Sequence, residues 1–466
     1  MPASPLTILP SASPARWRRI AGNDWTGPLA VTLLAGLLRF WYLGSPRAVV
    51  FDETYYAKDA WSLLQYGYEG SWADDADTRL LAHPAHLALS RAPEFVAHPP
   101  AGKWLIALGE AAFGMNPFGW RFVPALLGTL SVLLLCRVAR RLLGSTALGC
   151  LAGLLLTADG LHLVMSRTAL LDIVLMFWVL AGFGCLLLAR DANCARRAWW
   201  WRLAAGVCLG LACGTKWSGG YYLAAFTVLA LVWERAAGRA ALLGRAVQLN
   251  AAAAVAYLAC WSGWLATRGG WDRQRAAFPL LGLWHYHQQI WNFGIHLTDP
   301  HRYQSDPAGW LLLTRPVSYY FRTVGPGTAG CRAAACNREV LALGTPLLWW
   351  SATAALGYLG YRALRHRDGR AGAVLCAVGA GYLPWFLYQG RTLFSFYSVV
   401  FVPYLCLALA VLVQDLLRRP SRLRIVATGL VLTAIATNFV YFLPLYTGHP
   451  IATTAWDARI WFDAWV

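Results

Sequence analysis

Apolar residues run along this chain in long blocks, not in the two-residue alternation of a half-buried strand. Eleven blocks stand out, near 27–44, 119–139, 146–164, 170–189, 203–214, 219–233, 248–266, 341–361, 371–388, 394–416 and 425–443. A bilayer-crossing helix needs about 20 mostly apolar residues, so the pattern predicts eleven spanning helices. The fifth and sixth blocks are short and Gly-rich, which predicts tilted helices or helices partly buried in protein. Two long stretches interrupt the series, at about 45–117 and about 267–340. Within the first, Thr54–Tyr66 and Gly102–Phe113 are amphipathic and predict helices lying in the interface.

The polar positions between blocks are ordered too. Arginine clusters occur at Arg16/Arg18/Arg19, Arg137/Arg140/Arg141, Arg190/Arg196/Arg197/Arg202, Arg235/Arg239/Arg245, Arg362/Arg365/Arg367/Arg370 and Arg418/Arg419/Arg422/Arg424, on alternate connections. Cytoplasmic connections carry the excess of basic residues. The N-terminus is therefore expected inside, with both long loops and the C-terminus outside. The expected division is a cytoplasmic tail 1–26, an N-terminal transmembrane module 27–266 containing the outer loop 45–117, a second outer loop 267–340, and C-terminal helices with an outer tail 341–466. The first 24 residues hold several prolines and no apolar core segment, so the first helix is expected to be a retained anchor, not a cleaved signal.

Composition agrees with this reading. The chain is 58% hydrophobic and only 13% charged, which excludes a disordered chain and argues against an ordinary soluble enzyme. The fold class expected is an all-α polytopic membrane protein. A formal net charge of +18 invites a nucleic-acid reading, but the arginines sit on short loops of one side, where topology explains them. Three of the basic residues are lysines, Lys58, Lys103 and Lys216, and all three fall on the outer side. Nine of the eleven cysteines lie in or beside predicted helices, where a thiol packs as a small apolar group. Cys331 and Cys336 lie in the second outer loop with four residues between them, and a disulfide is expected there. No CxxC or HExxH pattern suggests zinc, and His285 and His287, two apart on a helix, point in different directions.

Candidate chemistry gathers on the outer side. Asp52 and Glu53 follow the first helix by a few residues. Either caps a helix start or serves as a general base held close to hydrocarbon, where carboxylates are costly. His98-Pro99-Pro100 precedes Lys103, which either snorkels to the interface or faces a ligand. Single basic residues also mark Arg121, Arg167, Lys216 and Arg391, all at the outer ends of predicted helices. Five cations at one depth suggest an anion site, and at that depth the anion is a lipid phosphate. An enzyme using a lipid-phosphate-linked donor, a lipid transporter and a lipid-binding structural protein all fit this much.

The motif string goes further. Phe51-Asp52-Glu53-Thr54-Tyr55-Tyr56, Gly67-Tyr68-Glu69, His98-Pro99-Pro100 with Lys103, Trp120-Arg121-Phe122, Ser166-Arg167-Thr168-Ala169-Leu170-Leu171-Asp172, Thr215-Lys216-Trp217-Ser218-Gly219, Trp284-His285-Tyr286-His287 and Arg315-Pro316-Val317-Ser318-Tyr319-Tyr320 occur in order. This string resembles the protein O-mannosyltransferase family in its bacterial, actinobacterial-like form, from about residue 27 to the end. The resemblance implies a GT-C-type glycosyltransferase fold with eleven spans. It implies transfer of mannose from polyprenyl (dolichyl-type) phosphate mannose to Ser or Thr hydroxyls of exported proteins. The second outer loop is too short for the MIR domains of eukaryotic members.

In site terms, the resemblance implies Asp52 as general base, with Glu53 orienting the acceptor or tuning Asp52, and an inverting displacement at the sugar carbon. Arg121, Arg167, Lys216, Arg391 and Lys103 would surround the lipid phosphate. His98 supports the site, and Asp172 is expected either in a supporting role or simply paired with Arg167. No cofactor or metal is firmly implied beyond the lipid-linked donor, and the expected partners are exported acceptor proteins and the secretion translocon. The nearest rival is another GT-C enzyme with the same donor class, such as a lipid-A aminoarabinose transferase. A lipid transporter would show inverted repeats between its halves, and none is visible.

Overall fold

The computed structural model describes residues 24–82 and 87–466. The arginines at 16, 18 and 19, and nearly all of the expected tail, lie outside the described residues. Each of the eleven apolar blocks is helical: Thr26–Phe40, Pro117–Leu143, Thr146–Thr157 with Gly160–Ser166, Leu171–Arg190, Ala195–Thr215, Gly219–Trp233, Arg239–Cys260, Pro346–His366, Gly369–Tyr382, Val402–Arg418 and Arg422–Thr447. Six helical stretches among the described residues are long and apolar enough to cross a membrane, or seven if one bent pair counts as a single span. Thr26–Phe40 and Gly219–Trp233 are apolar but have 15 residues each. The fifth block, expected to be short, belongs to a helix of 21 residues.

The third block is a broken helix, bent by 69° between Thr157 and Gly160. Asp159 sits in extended conformation at the break, and its carboxylate accepts from His162 N at 2.7 Å, capping the second piece. Trp349 Nε1 donates to the other carboxylate oxygen at 2.7 Å. Gly128 lets the helix Pro117–Leu143 come against this second piece; a Cβ there would lie 2.1 Å from Ser166 Oγ. The close approach sets the position of the Ser166–Asp172 turn.

Burial separates inner helices from outer ones. In Ser395–Arg418 and Leu171–Arg190, 89% and 72% of the most apolar window is buried; in Arg239–Cys260 and Arg422–Thr447 it is 22%. Apolar residues left exposed on the outer pair, such as Val255 and Leu430, face a solvent that accepts them, and in a spanning helix that solvent is lipid.

The two long connections pack against each other. The first holds the helices Glu53–Tyr66 and Ala101–Phe113, which pack together as the amphipathic stretches predicted, and a short antiparallel pair, Gly70–Trp72 with Leu89–Pro93. The second holds a helix, Pro279–His296, and a hairpin of Val317–Val324 with Cys336–Ala342, where Val317 faces Ala342 and Val324 faces Cys336. Ile451–Ala452 adds a short third strand from the C-terminal end. The expected Cys331–Cys336 disulfide is present at the hairpin tip. An aromatic contact joins the two connections: Phe51 stacks on Tyr319 at 4.6 Å between centroids, 9° from parallel.

Candidate active site

A cavity of about 830 Å³ lies between the two long connections and the adjoining helix ends. Six of the residues singled out from the sequence line it: Asp52, His98, Lys103, Asp172, Lys216 and Arg391. They come from five separate stretches of chain, brought together only by the packing of the helices that follow or precede them.

Asp52 precedes the helix Glu53–Tyr66, and its backbone carbonyl accepts from Tyr55 N and Tyr56 N at 3.0 and 3.1 Å. Its carboxylate does not cap the helix. Among the described residues no hydrogen bond or ion pair holds it. Phe51 before it has φ of 50°, a left-handed conformation that costs a residue with a Cβ about 1–2 kcal/mol. The stack on Tyr319 and edge contacts with Phe394 and Phe396 hold that conformation and so aim Asp52 into the cavity. Burial raises the Asp52 carboxyl to about 6; Lys216 pulls it down and Asp172 pushes it up.

Glu53 behaves differently from its neighbour. It is fully buried, and the cavity lining does not include it. Arg121 donates to it through Nε at 2.7 Å and Nη2 at 2.8 Å, and the backbone N–H groups of Val50 and Ala169 donate at 2.9 and 3.1 Å. Arg121 spends its remaining donors on the carbonyls of Leu43, Pro46 and Ala48. Arg167 donates to the carbonyls of Leu38, Arg39, Trp41 and Tyr42, the unsatisfied end of the first helix. The expectation that Arg121 and Arg167 face a phosphate is therefore corrected: neither lines the cavity, and the donors of both are engaged by protein oxygens. Glu53, likewise, faces Arg121 and not an acceptor.

Asp172 is expected from the sequence either to support the site or simply to pair with Arg167, and the structure shows no pair with Arg167. Its partner is Lys216, whose Nζ lies 3.0 and 2.9 Å from the two carboxylate oxygens. Asp172 sits in the first turn of Leu171–Arg190, and Lys216 just past the end of Ala195–Thr215, so the pair joins adjacent ends of two packed helices. Lys216 Nζ also stands 4.8 Å from the centre of the Tyr397 ring. Arg391 has no carboxylate partner among the described residues, and its Nε is buried without a hydrogen bond. It is the unneutralised cation of the cavity wall.

Lys103 lines the cavity but is fully buried, 2.5 Å from Glu69 and 3.6 Å from Asp59. Asp59 and Glu94 also line the cavity, and burial raises both carboxyls. His98 is driven well below its usual value by burial and by Lys216 and Lys103, so it stands neutral beside Tyr56, with ring centroids 6.2 Å apart. Sequence reasoning missed Asp59, Glu94, Tyr56 and Tyr397. For two of these a signal existed: Asp52, Tyr56 and Asp59 are spaced four and three apart, which places them along one helix face.

Comparison with known proteins decides the family. Residues 29–266 match the model of dolichyl-phosphate-mannose-protein mannosyltransferase, and residues 280–465 match the C-terminal four-helix region of protein O-mannosyltransferase. The chain belongs to the protein O-mannosyltransferase family. Among its relatives are the polyprenol-phosphate-mannose--protein mannosyltransferases of Mycolicibacterium smegmatis, 35% identical with 95% of this chain and 93% of that one covered, and of Mycobacterium tuberculosis, 35% identical with 99% and 95% covered. The transferase shares its fold with the S. cerevisiae protein O-mannosyltransferase Pmt1-Pmt2 complex bound to the sugar donor, with a TM-score of 0.77, 14% identity, and 97% and 94% of the two chains covered. ArnT from Cupriavidus metallidurans bound to undecaprenyl phosphate aligns with a TM-score of 0.57, 18% identity, and 91% and 71% coverage. This mannosyltransferase is thus a multi-pass membrane glycosyltransferase of GT-C fold, as the motif string implied.

Proposed function

We propose that the enzyme moves mannose from polyprenyl phosphate mannose to Ser or Thr hydroxyls of exported proteins, at the extracytoplasmic face and with inversion, using Asp52 as the general base. The observation that carries this is the pairing state of the cavity carboxylates. Asp172 and Asp59 each have a lysine; Asp52 and Glu94 have none among the described residues, and of these two it is the more deeply set Asp52 whose carboxyl is held near 6, a value suited to taking a proton at neutral pH. The acceptor oxygen attacks the anomeric carbon as the bond from that carbon to the phosphate oxygen breaks. The hydroxyl proton passes to Asp52, and the leaving lipid phosphate takes the electron pair. A β-linked donor then gives an α-mannoside.

Arg391 and Lys216 are the groups assigned to the growing phosphate charge. An open apolar groove adjoins the cavity at Tyr221 and is lined by Ala224, Ala225, Val228, Leu383 and Leu387. It suits the first isoprene units of the donor. Arg121, Arg167 and Glu53 act as positioning residues, tying the Asp52 segment to the Ser166–Asp172 turn. Lys103 and His98 shape the wall beside the acceptor. The disulfide in the second outer connection supports an oxidising, extracytoplasmic side for the cavity. Aminoarabinose transfer remains the rival, since an arabinosyl transferase of Pseudomonas fluorescens matches at 35% identity, but over only 45% of this chain.

The deciding experiment uses proteoliposomes with labelled polyprenyl phosphate mannose and a Ser/Thr/Pro-rich peptide. Label enters the peptide through an α-linked hexose on Ser or Thr, and Asp52→Asn abolishes it. Full transfer by Asp52→Asn, or label found only in lipid, rejects the reading.

A further inference from the structure

The helix Pro279–His296 has a use that the chemistry above does not require. It contains no Asp, Glu, Lys or Arg in its 18 residues. It would be about 27 Å long at 1.5 Å per residue, yet it is not among the helices apolar enough to span. One face is spent inside the protein: Leu283, Tyr286 and Ile290 pack against Trp261 and Trp264. Two hydrogen-bonded contacts fasten that face: Tyr257 Oη with His287 Nε2 at 2.5 Å, and Tyr286 Oη with the backbone N–H of Val96 at 3.2 Å. Away from that face, and away from the cavity, the first turns of the helix leave two apolar side chains bare three residues apart, with Leu281 47% and Trp284 60% exposed.

We infer that this helix lies in the membrane interface on the cavity side, with Leu281 and Trp284 sunk into a phospholipid leaflet. Its surface is continuous with one that is already lipid-facing. Tyr257, its anchor, sits near the end of Arg239–Cys260, where Val255 and Leu258 are 68% and 44% exposed. A long helix with an indole on its exposed face, too polar to cross and without charge to hold it in water, is stable at the headgroup boundary. The absence of charge makes the contact indifferent to anionic lipid. The later half of the same helix, Ile290 to Ile295, forms cavity wall. The leaflet therefore holds one wall of the active site in place.

A benzophenone-bearing residue placed at Leu281 or Trp284, in vesicles of phosphatidylethanolamine and phosphatidylglycerol with clickable acyl chains, tests this. Val255 on the spanning helix is the lipid-facing control, and Arg322 on the exposed hairpin strand is the aqueous one. Illumination is expected to give lipid adducts at 281 and 284 in yields within about twofold of 255, with none at 322. Yields at 281 and 284 as low as at 322, or crosslinks there to a second copy or to another protein, overturn the inference. Trp284→Asp provides a second reading: the lipid adduct at Leu281 falls severalfold while that at Val255 holds, and an unchanged yield at Leu281 rejects the placement.

Discussion

Glu53 receives Arg121 through two nitrogens, Nε at 2.7 Å and Nη2 at 2.8 Å, with both side chains buried. This bidentate pair separates the roles of two adjacent carboxylates. Glu53 is spent on architecture, and Asp52, one residue earlier, is left free in the cavity.

The two therefore fail differently when neutralised. Glu53→Gln leaves the Arg121 guanidinium buried without its counter-charge and turns an amide donor toward one of its nitrogens, a loss of about 3–5 kcal/mol. A large drop in Tm and in membrane yield is expected, measured by thermal unfolding in detergent. Asp52→Asn removes an unpaired carboxylate and should hold or raise Tm while lowering transfer by at least about a hundredfold. A matching Tm loss in both variants would contradict the division.

Activity should follow the ionisation of Asp52. Only the carboxylate accepts the acceptor proton, so kcat/KM falls as pH drops through about 6 and is flat above it. Lys216 lowers that carboxyl, so Lys216→Met should move the acid limb to higher pH. A pH series with saturating donor reads both, and an acid limb that ignores Lys216→Met would detach Asp52 from the profile.

Arg391 and Lys216 should separate in a donor titration combined with unfolding. Arg391 has no carboxylate to strand, so Arg391→Ala should raise KM for the lipid donor about tenfold or more with little change in Tm. Lys216→Ala strands Asp172 near the helix end and should cost stability as well as donor use. Asp172→Asn added to Lys216→Ala is expected to recover Tm but not activity.

Tyr319 acts on Asp52 at one remove. Its stack on Phe51 is worth about 0.5–1.5 kcal/mol, and it holds a left-handed residue next to the base. Tyr319→Leu should lower kcat severalfold with KM for donor unchanged. The same loss in Phe51→Ala, with no further loss in the double variant, would show that both act through the one contact.

Much of this protein was legible in the chain alone. The eleven apolar blocks are all helices, because a run of apolar residues long enough for a bilayer is a local property that no tertiary contact needs to supply. The helices at 53–66 and 101–113 and the Cys331–Cys336 bridge follow from equally local spacing. The family, too, was carried by motifs in order.

Which charge faces which was not local. The resemblance named Asp52 as the base, but nothing local assigned Glu53 to Arg121 or separated the cations Arg121, Arg167, Lys216 and Arg391 from one another. Their roles depend on partners about 44 to 129 residues away, where a buried guanidinium takes every carbonyl it can reach and a cavity leaves one cation unneutralised. The break at Asp159, the hairpin of the second long connection and the exposure of Leu281 and Trp284 on Pro279–His296 were decided in the same way, since each depends on what the rest of the chain packs against it and not on the residues beside it.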